Sequence, residues 1–289
     1  MTRLTRKVWT GVGAVTLAGA MVGTMLEPAA GQDAGRASGQ PKAGGKSAAP
    51  SAATDKADQI AAPQGGEAYL TDGGPKDTRI RIYRDIGLMR GHLLVAAELI
   101  ELGLWDEALP HVLHPTEELY GLMERYIKLH KVTPFDGQLK ALSQAVKAKN
   151  KAAYQQAAKV VEARLESALT SFRRFMTVQP FSSYTARMLA ELAKVAQSEY
   201  EASIENGRFT KPVEYQDSRG FIWHAEQLVA RYEADFAKID AAALARLKAA
   251  IVDAKAAWPT PVPPAAPAVT VEAQAAKLEA LVKATERFH

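Results

Sequence analysis

The 289-residue chain predicts an all-α fold, an up-and-down helical bundle of about eight helices. Three observations carry this. From Asp77 onward large apolar residues recur at steps of three and four, no stretch alternates apolar and polar as a half-buried strand would, and Gly or Pro punctuates the chain at helix-length intervals. Short connections favour antiparallel neighbours, so the helices form one bundle or two four-helix units.

Ile80, Ile82, Ile86, Met89, Leu93, Ala96, Leu99 and Ile100 mark the first helix, which Gly103 ends. Pro115 suits the first position of a second helix reaching about Lys131, with Glu117 and Glu118 complementing its dipole. Further helices are expected over residues 137–148, 151–177, 182–206, 214–239, 241–257 and 270–287. Pro180-Phe181-Ser182-Ser183, Asn206-Gly207 and the Pro-rich stretch after Trp258 separate them. Two segments precede this bundle domain of residues 76–289. Residues 1–31 carry Arg3, Arg6 and Lys7, then an uncharged run from Thr10 to Leu26, then Ala29-Ala30-Gly31, the order of a secretory signal peptide. Residues 32–75 are rich in Gly, Ala, Ser and Pro and cannot bury enough apolar surface to offset the entropy of ordering, so a disordered tether is expected.

Charge and cysteine content narrow the function. Removing the leader takes Arg3, Arg6, Lys7 and Glu27 and leaves about 33 basic against 31 acidic side chains, a balance that gives no electrostatic case for nucleic acid. The absence of cysteine excludes thiolate metal sites, iron–sulfur clusters, lipoprotein anchoring and cysteine nucleophiles. An exported helical protein of this size needs no disulfides, which fits a bacterial periplasm. No Gly-rich phosphate loop, no Gly-x-Ser-x-Gly elbow and no His-Glu-x-x-His occurs, so the familiar nucleotide-binding and hydrolytic chemistries lack their residues.

The histidines are the candidates for chemistry. His92 shares an apolar helical face with Leu88, Met89, Val95 and Leu99 and should point into the core, where its ring nitrogens need partners. His111 and His114 stand near Glu117 and Glu118 in LPHVLHPTEELY, and imidazole with carboxylate is a donor set suited to iron, zinc or copper. A turn at Pro110 to Glu118 favours a metal site of His111, His114 and Glu117 or Glu118, with His92 deeper in the bundle as a fifth candidate ligand. The competing expectation for His92 is a structural core histidine bonded to one carboxylate or carbonyl. Glu191, Glu199 and Glu201 are expected on a solvated face.

One internal echo bears on this. Tyr83-Arg84-Asp85 with His92 recurs 132 residues later as Tyr215-Gln216-Asp217 with His224. If the two helices pack antiparallel, His92 approaches Asp217 and His224 approaches Asp85.

His114-Pro115-Thr116-Glu117, a secretory signal and an all-helical body resemble the imelysin-like periplasmic proteins, helical bundles associated with bacterial iron uptake that carry a Gly-x-His-x-x-Glu motif. Val112 stands where that motif has Gly. The resemblance implies duplicated bundles, a metal-linked role, and His114 and Glu117 as ligands. The resulting expectation is a periplasmic metal-binding or metal-uptake accessory protein, with a periplasmic or membrane transport partner. The alternative is a non-enzymatic helical interaction module with structural histidines. A zinc hydrolase ranks below both for want of a base-and-ligand motif.

Overall fold

The computed structural model describes residues 74–289; the leader expected at 1–31 and nearly all of the tether expected at 32–75 lie outside the described residues. Helix α1 spans Thr78–Glu101, α2 Trp105–His114, α3 Tyr120–Leu129, α4 Asp136–Lys147, α5 Lys151–Arg173, α6 Phe181–Ala202, α7 Pro212–Arg231, α8 Glu233–Ala254 and α9 Val271–Thr285. Asp77, Asn150 and Thr270 cap α1, α5 and α9 by accepting from backbone N–H groups inside the first turn.

The helices close into two rings of four. In the first, α1 packs on α2, α2 on α4, α4 on α5, and α5 returns to α1; in the second, α6 packs on α7, α7 on α8, α8 on α9, and α9 returns to α6. Helix α1 also lies along α6 and α7, so both rings share one continuous hydrophobic core. Serving both rings leaves α1 little solvent-facing surface, and even Arg84, Asp85, Arg90 and His92 are buried. Among the described residues no helix is long and apolar enough to cross a membrane.

The α1–α7 contact depends on two glycines. A Cβ on Gly220 would sit 2.3 Å from the carbonyl oxygen of Gly91, so the backbones touch where any side chain would hold them apart. Arg219 on α7 then locks the pair. Its Nε and one terminal nitrogen donate to the two oxygens of Glu98 on α1 at 2.9 and 2.6 Å, and its other nitrogen donates to the Trp258 carbonyl at 2.7 Å.

Three features depart from the sequence expectation. The second helix starts at Trp105, not near Pro115, and runs through both prolines. At Pro115–Leu119 it widens to a π turn in which the Tyr120 N–H reaches the Pro115 carbonyl. The helix expected over 214–239 ends at Arg231, whereas the break expected at Asp240 is present as a kink within α8, where Asp240 leaves helical geometry and caps the next turn by accepting from Ala243 N. Where no strand was expected, Ile204–Glu205 and Arg208–Phe209 form a short antiparallel hairpin. Its two-residue turn is Asn206-Gly207, both at positive φ (52° and 72°), the pairing a type I′ turn requires.

Candidate metal centre

Three helices bring four side chains together at the seam between the rings. Leu104 N donates to Leu99 O across the Gly103 turn, so α2 folds back along α1 at once. His92 stands eleven residues before Gly103 and His114 eleven residues after it, which places them at the same depth. A turn at Pro110 would have left His92 far below the others; moving the turn to Gly103 removes that separation. The close crossing at Gly91 and Gly220 then carries Asp217 of α7 up to the histidines.

The Asp217 carboxylate is the hub. Its Oδ1 lies 2.5 Å from His92 Nδ1 and 2.7 Å from His111 Nδ1, and its Oδ2 lies 3.2 Å from His114 Nδ1. All four residues can offer one ligand atom such that the four atoms lie within 4.8 Å of one another. His92, His111 and Asp217 are buried and His114 is partly so. Burial opposes the charge on Asp217, but the three imidazoles outweigh it and hold the carboxyl well below the usual carboxylate range. Burial lowers the imidazole of His92 despite the neighbouring carboxylate. For His114 burial again opposes the charge, but Asp217, with Glu118 and Glu199 beyond it, prevails and pushes the imidazole up to about 9.

Hydrogen bonding shows what this donor set lacks. Glu107 can only accept, so Gln216 turns its Nε2 toward it (3.3 Å) and its Oε1 toward His111 Nε2, 2.9 Å away. His111 therefore donates through Nε2, and in its neutral form a lone pair on Nδ1 faces a carboxylate oxygen at 2.7 Å. Two acceptors at that distance repel unless a proton or a cation lies between them. The buried Nδ1 of His114 is within ion-pair range of Asp217 but out of line for a hydrogen bond, and has no hydrogen-bond partner. Three imidazole nitrogens converging on one carboxylate oxygen edge, with the far side of one ring already held by a second shell, fit a first-row transition ion.

A cavity of about 230 Å³ borders the cluster, walled by Leu88, Val195 and Phe221 on one side and by His114, Glu118, Glu199 and Glu214 on the other. Its carboxylates give a cation an attractive approach.

Of the residues expected in the site, His92, His111 and His114 are brought together. Glu118 lies behind them with an oxygen 3.5 Å from His114 Nε2, and Glu117 is exposed on the π turn and outside the group. The carboxylate among the four is Asp217, reached in sequence only through the echo. The echo's other half does not form: Asp85 is held by Arg84 at 2.7 Å, and His224 lines a cavity with Arg90 and Arg231. Glu199, expected on a solvated face, is buried beside the cavity, and Glu191 is buried as well, while Glu201 is exposed. Gln216 and Glu107 carry no sequence signal as second-shell groups, since their role exists only once α2 and α7 are side by side.

No curated protein and no solved structure is similar to the chain at a significant level. Residues 182–287 match the model of an iron permease-associated 4-helix bundle domain, which links the second ring, α6 to α9, to helical bundles associated with iron uptake.

Proposed function

We propose that this protein is an exported, periplasmic metal-binding accessory of a bacterial iron-uptake system, carrying its ion as cargo on His92, His111, His114 and Asp217. The observation that supports it best is the convergence of four N and O donors at the seam between two four-helix rings, one of which matches an iron permease-associated bundle. Neutral imidazole and carboxylate suit iron, and also zinc and copper, and the acidic cavity offers a path by which the ion arrives and leaves. The leader-like N-terminus supports export, and the family match supports a transport partner in the membrane. The imelysin-like resemblance supports the same role through His114, with Asp217 in place of Glu117 as the carboxylate ligand.

Elemental analysis of the untagged protein tests this, together with titration calorimetry of wild type, Asp217→Asn and a His111→Ala, His114→Ala double variant. About one first-row ion per chain is expected in wild type and none in the variants. Equal affinity in all three proteins would overturn the reading and favour a helical interaction module with structural histidines.

A further inference from the structure

The unused half of the echo borders a second cavity. It measures about 320 Å³ and lies where α1 and α7 face α4 and α5. Leu94, Leu142 and Leu228 and the ring of Tyr154 supply apolar wall; Arg90, Arg231, Glu162, Gln227 and His224 supply the polar part. His224 is 5% exposed, and its Nε2 is buried without a hydrogen-bond partner. Burial and the nearby arginines keep the ring neutral, and with the proton on Nδ1 the orphaned Nε2 presents a lone pair.

A buried lone pair accepts either a cation or an X–H donor. A cation is disfavoured here because Arg90 and Arg231 add to burial in keeping positive charge away from His224. On the metal side of the same helix pair His92 faces Asp217, whereas on this side the arginines occupy the neighbourhood. Those arginines are already engaged: Arg90 with Glu162 and Glu166, and Arg231 with Glu166, at 2.8 to 3.0 Å. With those N–H groups taken up, they have few donors left for an anionic ligand, but guanidinium faces and the Tyr154 ring both favour an aromatic plane. A cavity of about 150 Å³ already admits benzene, so the volume allows at least one ring.

We propose that this cavity is a second ligand site, for a small hydroxylated aromatic molecule whose O–H donates to His224 Nε2 while its ring packs on Leu94, Leu142 and Leu228. The site is separate from the metal cluster and does not rest on the metal reading.

The test uses the full chain with p-cresol and toluene, which have nearly the same shape but differ by the hydroxyl. Calorimetry is expected to give p-cresol at least about tenfold tighter binding than toluene, because toluene leaves Nε2 unpaired. In His224→Leu the preference should vanish, with both probes binding alike. Should that variant fail to fold, the wild-type His224 ring ¹⁵N resonances decide: Nε2 is expected to shift on addition of p-cresol and to stay put with toluene. Equal affinity for the two probes in wild type, no binding of p-cresol at millimolar concentration, or an Nε2 that responds to neither probe because only water reaches it, would each overturn the proposal.

Discussion

Gly220→Ala tests whether the backbone contact of α1 and α7 builds the metal centre. The added methyl would lie 2.3 Å from the Gly91 carbonyl oxygen and 3.0 Å from its carbon. Both are backbone atoms that cannot rotate away, so the helices must separate by about 1 Å to restore ordinary contact. Overpacking of this kind costs about 3 kcal/mol at its upper end, and alanine returns about 1 kcal/mol through helix propensity, leaving a net loss of about 2 kcal/mol. His92 rides on α1 and Asp217 on α7, so the same separation opens their 2.5 Å contact, and metal affinity should fall by about tenfold or more. Gly91→Ala should be milder, since its closest obstacle, at 2.5 Å, is a side-chain atom of Phe221, and the nearest backbone atoms lie at 3.1 and 3.2 Å, against 2.3 Å at Gly220. Gly121→Ala on α3 meets nothing within 4 Å and should stabilise by up to about 1 kcal/mol. Urea unfolding and calorimetric metal titration of the three variants supply the readouts. A Gly220→Ala protein as stable as wild type, or no more damaged than Gly91→Ala, would refute the reasoning.

Three further outcomes are expected. Gln216→Leu breaks the Glu107–Gln216–His111 chain and should weaken metal binding by about 10- to 100-fold in calorimetry with the fold retained by circular dichroism; unchanged affinity would remove the second shell from the site. His224 is held down to about 3, chiefly by burial, so below an unfolded value near 6.5 the unfolded chain takes a proton that the folded chain refuses. Stability should therefore drop by about 1.4 kcal/mol per pH unit from that group as pH falls from 6.5 toward 3, and His224→Gln should flatten the slope measured by urea unfolding between pH 7 and 5. Trypsin should cut the protein first at Lys42, Lys46 and Lys56 and leave a fragment starting near Lys76; mass spectrometry showing those lysines protected would contradict a tether at 32–75.

The fold was legible because helix periodicity is a local property. Apolar stripes located α1 and α4 to α6 to within a few residues, and Asn206-Gly207 fixed where the chain reverses after α6. Around the site the prolines hide the helix boundaries. Pro115 looked like a helix start, and only tertiary packing makes a π turn affordable there, with Leu119 and Met123 drawn into the core on its far side. That one displacement moved the expected turn from Gly103 to Pro110, and with it the depth of His92. The histidines themselves were visible by type, whereas the choice of Asp217 over Glu117 was a matter of which helix crosses α1, a long-range contact set by two glycines that periodicity does not reveal.

The position of the cluster constrains how the family match should be understood. The matched span supplies Asp217 and the buried Glu199, but all three histidines come from α1 and α2, outside it. A bundle of α6 to α9 alone thus has a carboxylate and an acidic cavity wall but no imidazole at this cluster, its one histidine there, His224, facing the other cavity, and the first ring alone has the imidazoles without Asp217. Binding chemistry arises only where the rings meet, and the contacts that join them there, Gly91 on Gly220 and Arg219 on Glu98, lie within about two turns of the ligands. An ion bound at this seam would be gripped by α1 and α2 on one side and α7 on the other, so any movement of the second ring against the first changes the ligand set directly. On the proposed role as a carrier of metal cargo, control of affinity would lie at the ring interface, where a partner touching the second ring could loosen Asp217 without reaching the histidines.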